Sequence, residues 1–211
     1  MITLEQAREW YKDSDPVHDF SHIERVYRMS ERLALAEGAD LEIVHAAALL
    51  HDADGTTPGS AERLEHHLRS ARFAGEVLRA EGWPEERIAA VQHCVRAHRY
   101  RDDREPPATI EAKCIFDADK LDVLGAIGAV RTVVYAALAG TPFYTQPSQQ
   151  FIKTGKEVPG ELHSGYHEYL FKLQNVEKRL YTDTARQLAR ARSLYLKEFF
   201  DQLIAEYNGE R

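Results

Sequence analysis

The sequence predicts an all-α fold, a helical bundle with additional C-terminal helices, on three observations. Apolar residues recur at helical spacing in one segment after another. Capping residues and glycines punctuate those segments, and no run alternates apolar and polar residues over a convincing strand length. With 211 residues and 44% hydrophobic content, the chain can bury a substantial core and reads as one domain over 1–211.

Taken in order, Thr3 with Gln6 three residues later forms a capping box that opens a short helix through Trp10 and Tyr11. A polar connector, Asp13 to Phe20, follows. Ser21 with Glu24 reads as a second capping box, ahead of the stripe Ile23, Val26, Tyr27, Ser30, Leu33 and Ala34, which Gly38 ends. Asp40 caps a third helix whose Leu41, Ile43, Val44, Ala47, Ala48 and Leu50 are apolar nearly all round, the pattern of a central buried helix. That helix ends at His51-Asp52. Ala53 to Ser60 is a loop, and Ala61 to Glu81 reads as a helix stopped by Gly82. Pro84 suits the first turn of the next, which carries Ile88, Val91, Val95 and His98 before a charged loop from Arg101 to Pro107. Thr109 starts a long apolar helix through Ile110, Cys114, Ile115, Leu121, Leu124 and Ile127 toward Leu138, with Gly125 and Gly128 marking close packing or a kink. Residues 140–165 have little helical period and read as a lid or a surface excursion. Two helices, 166–180 and 183–207, complete the chain, the last with Leu188, Ala191, Leu194, Tyr195, Phe199, Leu203 and Tyr207 as its core face.

Composition narrows the function. A net charge of -7 and a pI near 5.8 argue against binding a nucleic-acid polymer, while leaving room for a local pocket for a small phosphate. The two cysteines, Cys94 and Cys114, lie in helical apolar patterns and read as buried thiols of a reducing cytosol. Glu5, Arg8 and Glu9 are unlike a secretory signal, and no run approaches the ~20 apolar residues of a membrane helix, so the expected location is cytoplasmic and away from the membrane.

Chemistry concentrates where polar residues interrupt the apolar pattern. His22, His51, Asp52 and Asp119 offer two imidazoles and two carboxylates from three helices, a mixed set suited to a divalent ion of intermediate hardness such as manganese, iron, cobalt or zinc. Taken singly, each also fits a satisfied core histidine or a surface acid at a helix end. Asp117 lies two residues before Asp119, about 200° around a helix, so both cannot face one ion; Asp117 and Asp122 instead suit hydrogen bonds to ligand histidines or a pair with Lys120.

Three stretches in order, His22 with Arg25-Val26, then Leu49-Leu50-His51-Asp52, then Asp117-Ala118-Asp119-Lys120-Leu121-Asp122, resemble the HD-domain metal-dependent phosphohydrolase superfamily. Gly125-Ala126-Ile127-Gly128 is similar to a segment of its small bacterial nucleotide-phosphohydrolase-like branch, and the likeness runs from about residue 15 to the final helix. The resemblance implies an all-α HD domain with a core of about 15–135 and C-terminal helices of about 164–207 completing the cleft. It implies that His22, His51, Asp52 and Asp119 ligate a divalent metal (Mn, Mg, Co, Fe or Zn), with a single ion expected. His18 would sit at the lip of the pocket or on the surface. In some HD proteins further histidines hold a second metal; among His66, His67, His93 and His98 here, His66 and His67 read as a solvated helical face.

The activity implied is metal-assisted hydrolysis of a phosphate ester or anhydride in a small soluble nucleotide, as a pyrophosphohydrolase or a phosphomonoesterase, with attack at the alpha phosphorus of a triphosphate favoured. Lys120 is the first cation to neutralise developing charge, and Arg25 a second choice beside a structural pairing. His98, followed by Arg99 and Tyr100, suits the phosphate as donor or general acid. Asp54 orients water or solvates its turn. His167 and Lys172 resemble a family element that lines the substrate cleft, although Glu168 stands where an aromatic is expected. The alternatives are a metal- and nucleotide-binding regulatory module without turnover and an HD-type di-iron oxygenase. The chain is expected to act as a monomer or homodimer.

Overall fold

Helices account for all the regular structure among the described residues, which in this computed structural model are 2–12, 17, 19–54, 65–99 and 104–211. No single helix among them is long and apolar enough to cross a membrane. The chain divides into two compact units, Met1–Lys120 with Leu180–Ala185, and Leu121–Arg179 with Arg186–Arg211.

In the first unit, the Thr3–Gln6 capping box opens α1 (Leu4–Arg8), which tightens into a 3-10 turn over Glu9–Tyr11. Helix α2 (Phe20–Glu37) begins one cap earlier than the sequence suggests. Asp19, not Ser21, stands at its N-cap and accepts from the His22 amide at 3.3 Å, while the Ser21 hydroxyl donates to Asp19 at 2.5 Å. Gly38 ends α2 with φ 73°, a left-handed turn that glycine adopts without strain. Asp40 caps α3 (Leu41–Leu50) through the amides of Glu42 and Ile43, and its carboxylate also takes a two-pronged bond from Arg87. That pairing ties the start of α3 to α5 (Glu85–Ala97).

The all-round apolar character of α3 has the expected consequence: Val44, Ala47, Ala48 and Leu50 are completely buried. Helix α4 (His66–Ala80) and α5 form a hairpin in which Gly75 admits the Gln92 side chain; a Cβ there would meet Gln92 Nε2 at 2.4 Å. Gln92 in turn donates to the Ala71 carbonyl at 2.8 Å. Ile23, Leu33, Leu78, Ile88, Val91 and Ile115 complete the core, each fully buried and each contributing about 2 kcal/mol by leaving water. Cys94 and Cys114 are free thiols inside it. Residues 61–64, the expected start of the fourth helix, lie outside the described residues.

The expected single long helix from Thr109 is two, α6 (Ile110–Leu121) and α7 (Gly125–Leu138). Gly125 has φ 68°, which a continuing helix cannot hold, and the Leu121 carbonyl at the break accepts from the Arg192 guanidinium at 2.7 Å and from the Leu124 amide at 3.3 Å. Thr109 caps α6 at the Ala112 amide.

The second unit also contains α8 (Gln149–Thr154), α9 (Gly165–Phe171), two 3-10 turns at Leu173–Asn175 and Glu177–Arg179, and α10 (Asp183–Tyr207), whose first residues belong to the first unit. The expected helix over 166–180 thus gives way after about two turns, at Phe171. On α10 the buried face is Ala185, Ala189, Leu196 and Phe200, while Leu194, Tyr195 and Tyr207 are exposed, so the expected face is corrected. Apolar residues lie on both sides of this helix, and periodicity alone cannot choose between the two phases.

Residues 141–164 contain a dense polar hub. The carboxylate of Glu161 accepts from the Ser148 amide (2.6 Å), the Ser148 hydroxyl (2.8 Å) and the Val158 amide (2.8 Å). His167 Nε2 stands 3.2 Å from the same Oε1 that takes the Ser148 amide. These donors, the Ser148 amide first, push the Glu161 carboxyl down from 4.5 to about 2 against the opposing effect of burial. A depressed carboxyl stabilises the folded form fully above 4.5 and ceases to do so as pH falls toward 2. Limited proteolysis is therefore expected to cut within 148–161 as the pH drops through that window, and Glu161→Gln to become cleavable there at neutral pH. Equal resistance of both proteins at every pH would contradict the hub.

Candidate metal centre

A buried imidazole or carboxylate without a partner is costly, so a cluster of them at helix ends demands a compensating charge. Three helices of the first unit deliver such groups to one place. His22 comes from the first turn of α2, His51 and Asp52 from the end of α3, and Asp119 from α6. His22 Nε2 lies 3.5 Å from Asp119 Oδ1, and the His22 and His51 rings meet edge to face at 5.5 Å. One ligand-type atom from each of His22, His51 and Asp119 lies within 4.8 Å of the others.

Asp52 stands beside this group and shares itself with another. Its Oδ2 is 3.8 Å from His51 Nε2, while its Oδ1 is 3.4 Å from both His66 Nε2 and His98 Nε2. Asp52, His66 and His98 form a second set of three within 4.8 Å. The His51 and His98 rings are 5.1 Å apart, so the two sets adjoin.

The tautomers follow from the backbone. His51 Nδ1 lies 2.8 Å from the Ala48 carbonyl, and His98 Nδ1 lies 2.5 Å from the Val95 carbonyl. A carbonyl only accepts, so Nδ1 carries the proton in each ring and a neutral ring turns its Nε2 lone pair into the cluster. Among the described residues, His51 Nε2 and Asp52 Oδ1 are buried without a hydrogen bond. Lone pairs aimed at carboxylates repel, and a divalent cation is the partner that reconciles them. The mixed nitrogen and oxygen donors fit such an ion.

Electrostatics agree with that fit. Burial alone would raise the Asp52 carboxyl; it is held well below the usual carboxylate range by positive charge beside it, which protonated rings of His51, His66 and His98 would supply and which a bound cation would supply where those rings are neutral. Burial likewise opposes ionisation of Asp119, but the Lys120 ammonium beside it, and positive charge on His22, His98 and His51 where those rings are protonated, hold it far below that range. Burial lowers His98 against the pull of Asp52, which keeps the ring neutral.

The remaining expected residues are distributed as follows. Lys120 is buried, pairs with Asp119, and lies 5.3 Å over the Phe116 ring. Asp54 is half-exposed, with Arg69 Nε 3.3 Å from its Oδ2. Arg99 is partly buried just after His98, and Arg25 donates to Ser21 at 2.9 Å. His66 and His67 are not on a solvated face: His66 points at Asp52, and His67 is 5% exposed. They open α4, and 100° between consecutive residues suffices to send one ring to the cluster and the other into the core. His93 is a structural clasp, its two nitrogens taken by Glu105 and the Ala108 amide. Asp117, expected near the ligand histidines or Lys120, accepts instead from the Tyr181 and Thr182 amides and the Thr182 hydroxyl at 2.7–2.9 Å. Asp122 pairs with Arg131.

In the second unit, His167 is fully buried with Nδ1 against the Ser164 hydroxyl (2.7 Å) and Nε2 against Glu161, so neither ring nitrogen is left for a substrate. Lys172 donates at 2.8 Å to Glu168, the acid that stands where the resemblance implies an aromatic. His18 and Tyr100 lie outside the described residues.

Residues 19–124 match the HD domain family, a span containing every member of both three-residue sets. The chain is 30% identical to the Bacillus subtilis (strain 168) protein YpgQ over 212 residues, covering 97% of this chain and 94% of that protein. The crystal structure of Bacillus subtilis YpgQ in complex with ADP is similar at a TM-score of 0.74 and 28% identity, covering 99% of this chain and 100% of that one. A crystal structure of an HD-superfamily hydrolase from Bacillus thuringiensis gives a TM-score of 0.69 at 27% identity, covering 97% and 93%.

A site with ligand lone pairs already aimed is expected to gain stability from metal. Manganese(II) or cobalt(II) at roughly 100 times its dissociation constant should stabilise the chelator-treated protein by about 2.7 kcal/mol, read as a rise in Tm. His51→Ala should abolish most of that rise. An unchanged Tm for the unsubstituted protein across both metals would count against the site.

Proposed function

The chain belongs to the HD domain family, and from that premise we propose that it is a divalent-metal-dependent phosphohydrolase acting on a small nucleotide. The observation that carries the reading is the set His22, His51 and Asp119, in which the His51 Nε2 lone pair is buried and unsatisfied among the described residues. His22, His51, Asp52 and Asp119 would hold the ion. When bound there, a divalent metal supplies Lewis acidity toward a phosphoryl oxygen and lowers the pKa of coordinated water.

The chain's own residues divide the rest of the work. Asp52 and Asp119, held ionised, keep acceptor oxygens at the reacting end of the site. Lys120 carries a buried ammonium beside Asp119, where it can neutralise charge that grows on a phosphate, and Arg99 adds a second cation next to His98. The ADP bound to Bacillus subtilis YpgQ supports a nucleotide as substrate, with the anhydride of a triphosphate, attacked at the alpha phosphorus, as the favoured bond. Within this reading the whole chain, 1–211, is the functional domain.

A second reading of the metal count has its own support. The two oxygens of Asp52 face the two sets separately, and neutral His98 offers a lone pair, not a proton, at Nε2. One carboxylate could then serve two ions, with His66 and His98 completing the second. Metal analysis of protein purified without chelator separates the readings: one ion per chain supports the four-residue site alone, and two support the paired site, in which case His66→Ala should bring the count to one.

Activity is tested on a nucleotide panel with manganese, magnesium or cobalt. Release of pyrophosphate or phosphate is expected, abolished by Asp52→Ala and reduced about 10²-fold in kcat by Lys120→Met. Nucleotide binding without turnover would favour a regulatory module, and oxygen uptake without phosphate release a di-iron oxygenase.

A further inference from the structure

A helix leaves its last carbonyls without intrahelical partners, and at the end of α3 these lie under the candidate ligands. The Ala48 carbonyl takes His51 Nδ1, and the Leu50 carbonyl takes the Ala53 amide at 3.3 Å. The Leu49 carbonyl takes the hydroxyl of Tyr11 at 2.8 Å. Tyr11 comes from the 3-10 turn after α1, ahead of residue 19, where the match to the family begins. Its ring is buried, tilted against Phe20 at 5.7 Å. The main-chain N–H of Asp52 is directed at the same hydroxyl oxygen, and the Asp52 carboxylate is near enough, after burial itself, to raise the phenol further.

We propose that Tyr11 is a positioning residue for the metal centre: its hydroxyl bridges the Leu49 carbonyl and the Asp52 amide, and so sets the direction in which His51 and Asp52 leave α3. The chain would otherwise be free to extend or unwind the last turn of α3, because His51 and Asp52 follow the helix in a turn with no glycine to define it. One oxygen reads the position of both: it accepts from the residue that ligates and donates to the helix that carries it. A local N-terminal segment thereby takes part in a site otherwise built within 19–124. The inference rests on the proposed metal site, and Tyr11 itself touches neither metal nor substrate.

The test is cobalt(II) binding to chelator-treated protein, followed by calorimetry and by the visible absorption of the bound ion. Tyr11→Phe removes one oxygen and keeps the ring. It should weaken cobalt affinity about tenfold to a hundredfold, as loss of a group that orients a ligand does, and alter the absorption bands while the metal-free circular dichroism stays unchanged. Thr3→Ala, which removes the side-chain cap of α1 without touching Asp52, is the control for loosening alone and should leave affinity and bands as they are. Equal affinity and identical bands in Tyr11→Phe and the unsubstituted protein would overturn the role of Tyr11 while leaving the metal site intact; no cobalt binding by the unsubstituted protein would overturn the metal site and this inference with it. Should Tyr11→Phe fail to fold, native-state hydrogen exchange at the Asp52 amide decides: protection supports the bridge, and exchange at the rate of an open turn refutes it.

Discussion

The end of α3 is the constraint on which the candidate site depends. A helix apolar on almost every side is stable only when enclosed, and enclosing it carries His51 and the start of the next turn out of water. Buried there, the polar groups must be satisfied one by one. The final carbonyls are met by an imidazole, a phenol and an amide. Among the described residues, the acceptors His51 Nε2 and Asp52 Oδ1 are then left buried without a hydrogen bond. The candidate centre is thus what a helix end leaves over once its carbonyls are met, and its nitrogen and oxygen acceptors fit a divalent cation.

The same logic explains the placing of the other ligands. His22 enters from the first turn of α2, where the helix begins with an aspartate cap and side chains point back over the N-terminus. Asp119 enters from α6, and the register of α6 is set two residues earlier. Buried Asp117 points the opposite way and is locked by three donors from residues 181 and 182. Two aspartates spaced by two on one helix therefore divide between anchoring and ligation, as a rotation of about 200° requires. Neither could exchange roles without turning α6 over.

How much of this was legible depended on whether a residue's surroundings are local. His22, His51, Asp52 and Asp119 stand out because each interrupts an apolar helical pattern, and a regular pattern is visible in one dimension. The N-cap of α2 is ambiguous in the sequence because Asp19 and Ser21 are both capping types, and the backbone at Asp19, extended with ψ 173°, decides between them. His66 looks like surface in the sequence because neighbouring polar residues usually share solvent; its ring reaches Asp52 through the packing of α4 against α3 and α5, which no local signal reports. Tyr11 was invisible for the same reason, since its partner carbonyl is 38 residues away and a tyrosine on a short amphipathic helix looks like ordinary core. The break before Gly125 was half legible. Glycine announces the possibility, whereas the Arg192 guanidinium that donates to the Leu121 carbonyl comes from far along the chain.

His167 shows why resemblance of a motif and the role of its residues are separate questions. A histidine can bind a phosphate only if it has a nitrogen to offer, and here both are engaged, one in the capping box of α9 and one on Glu161. Glu161 is in turn saturated by Ser148 and Val158, so the ring is one strut in a closed hydrogen-bond network. Glu168 follows the same economy: it replaces an expected aromatic, and its carboxylate engages the Lys172 ammonium one turn later, a cation the resemblance had assigned to substrate. Both changes move polar capacity from a ligand-facing task to an internal one. In this chain the polar groups of 161–172 are engaged with one another, whereas the two sets of metal-ligating side chains lie on the helices around Asp52.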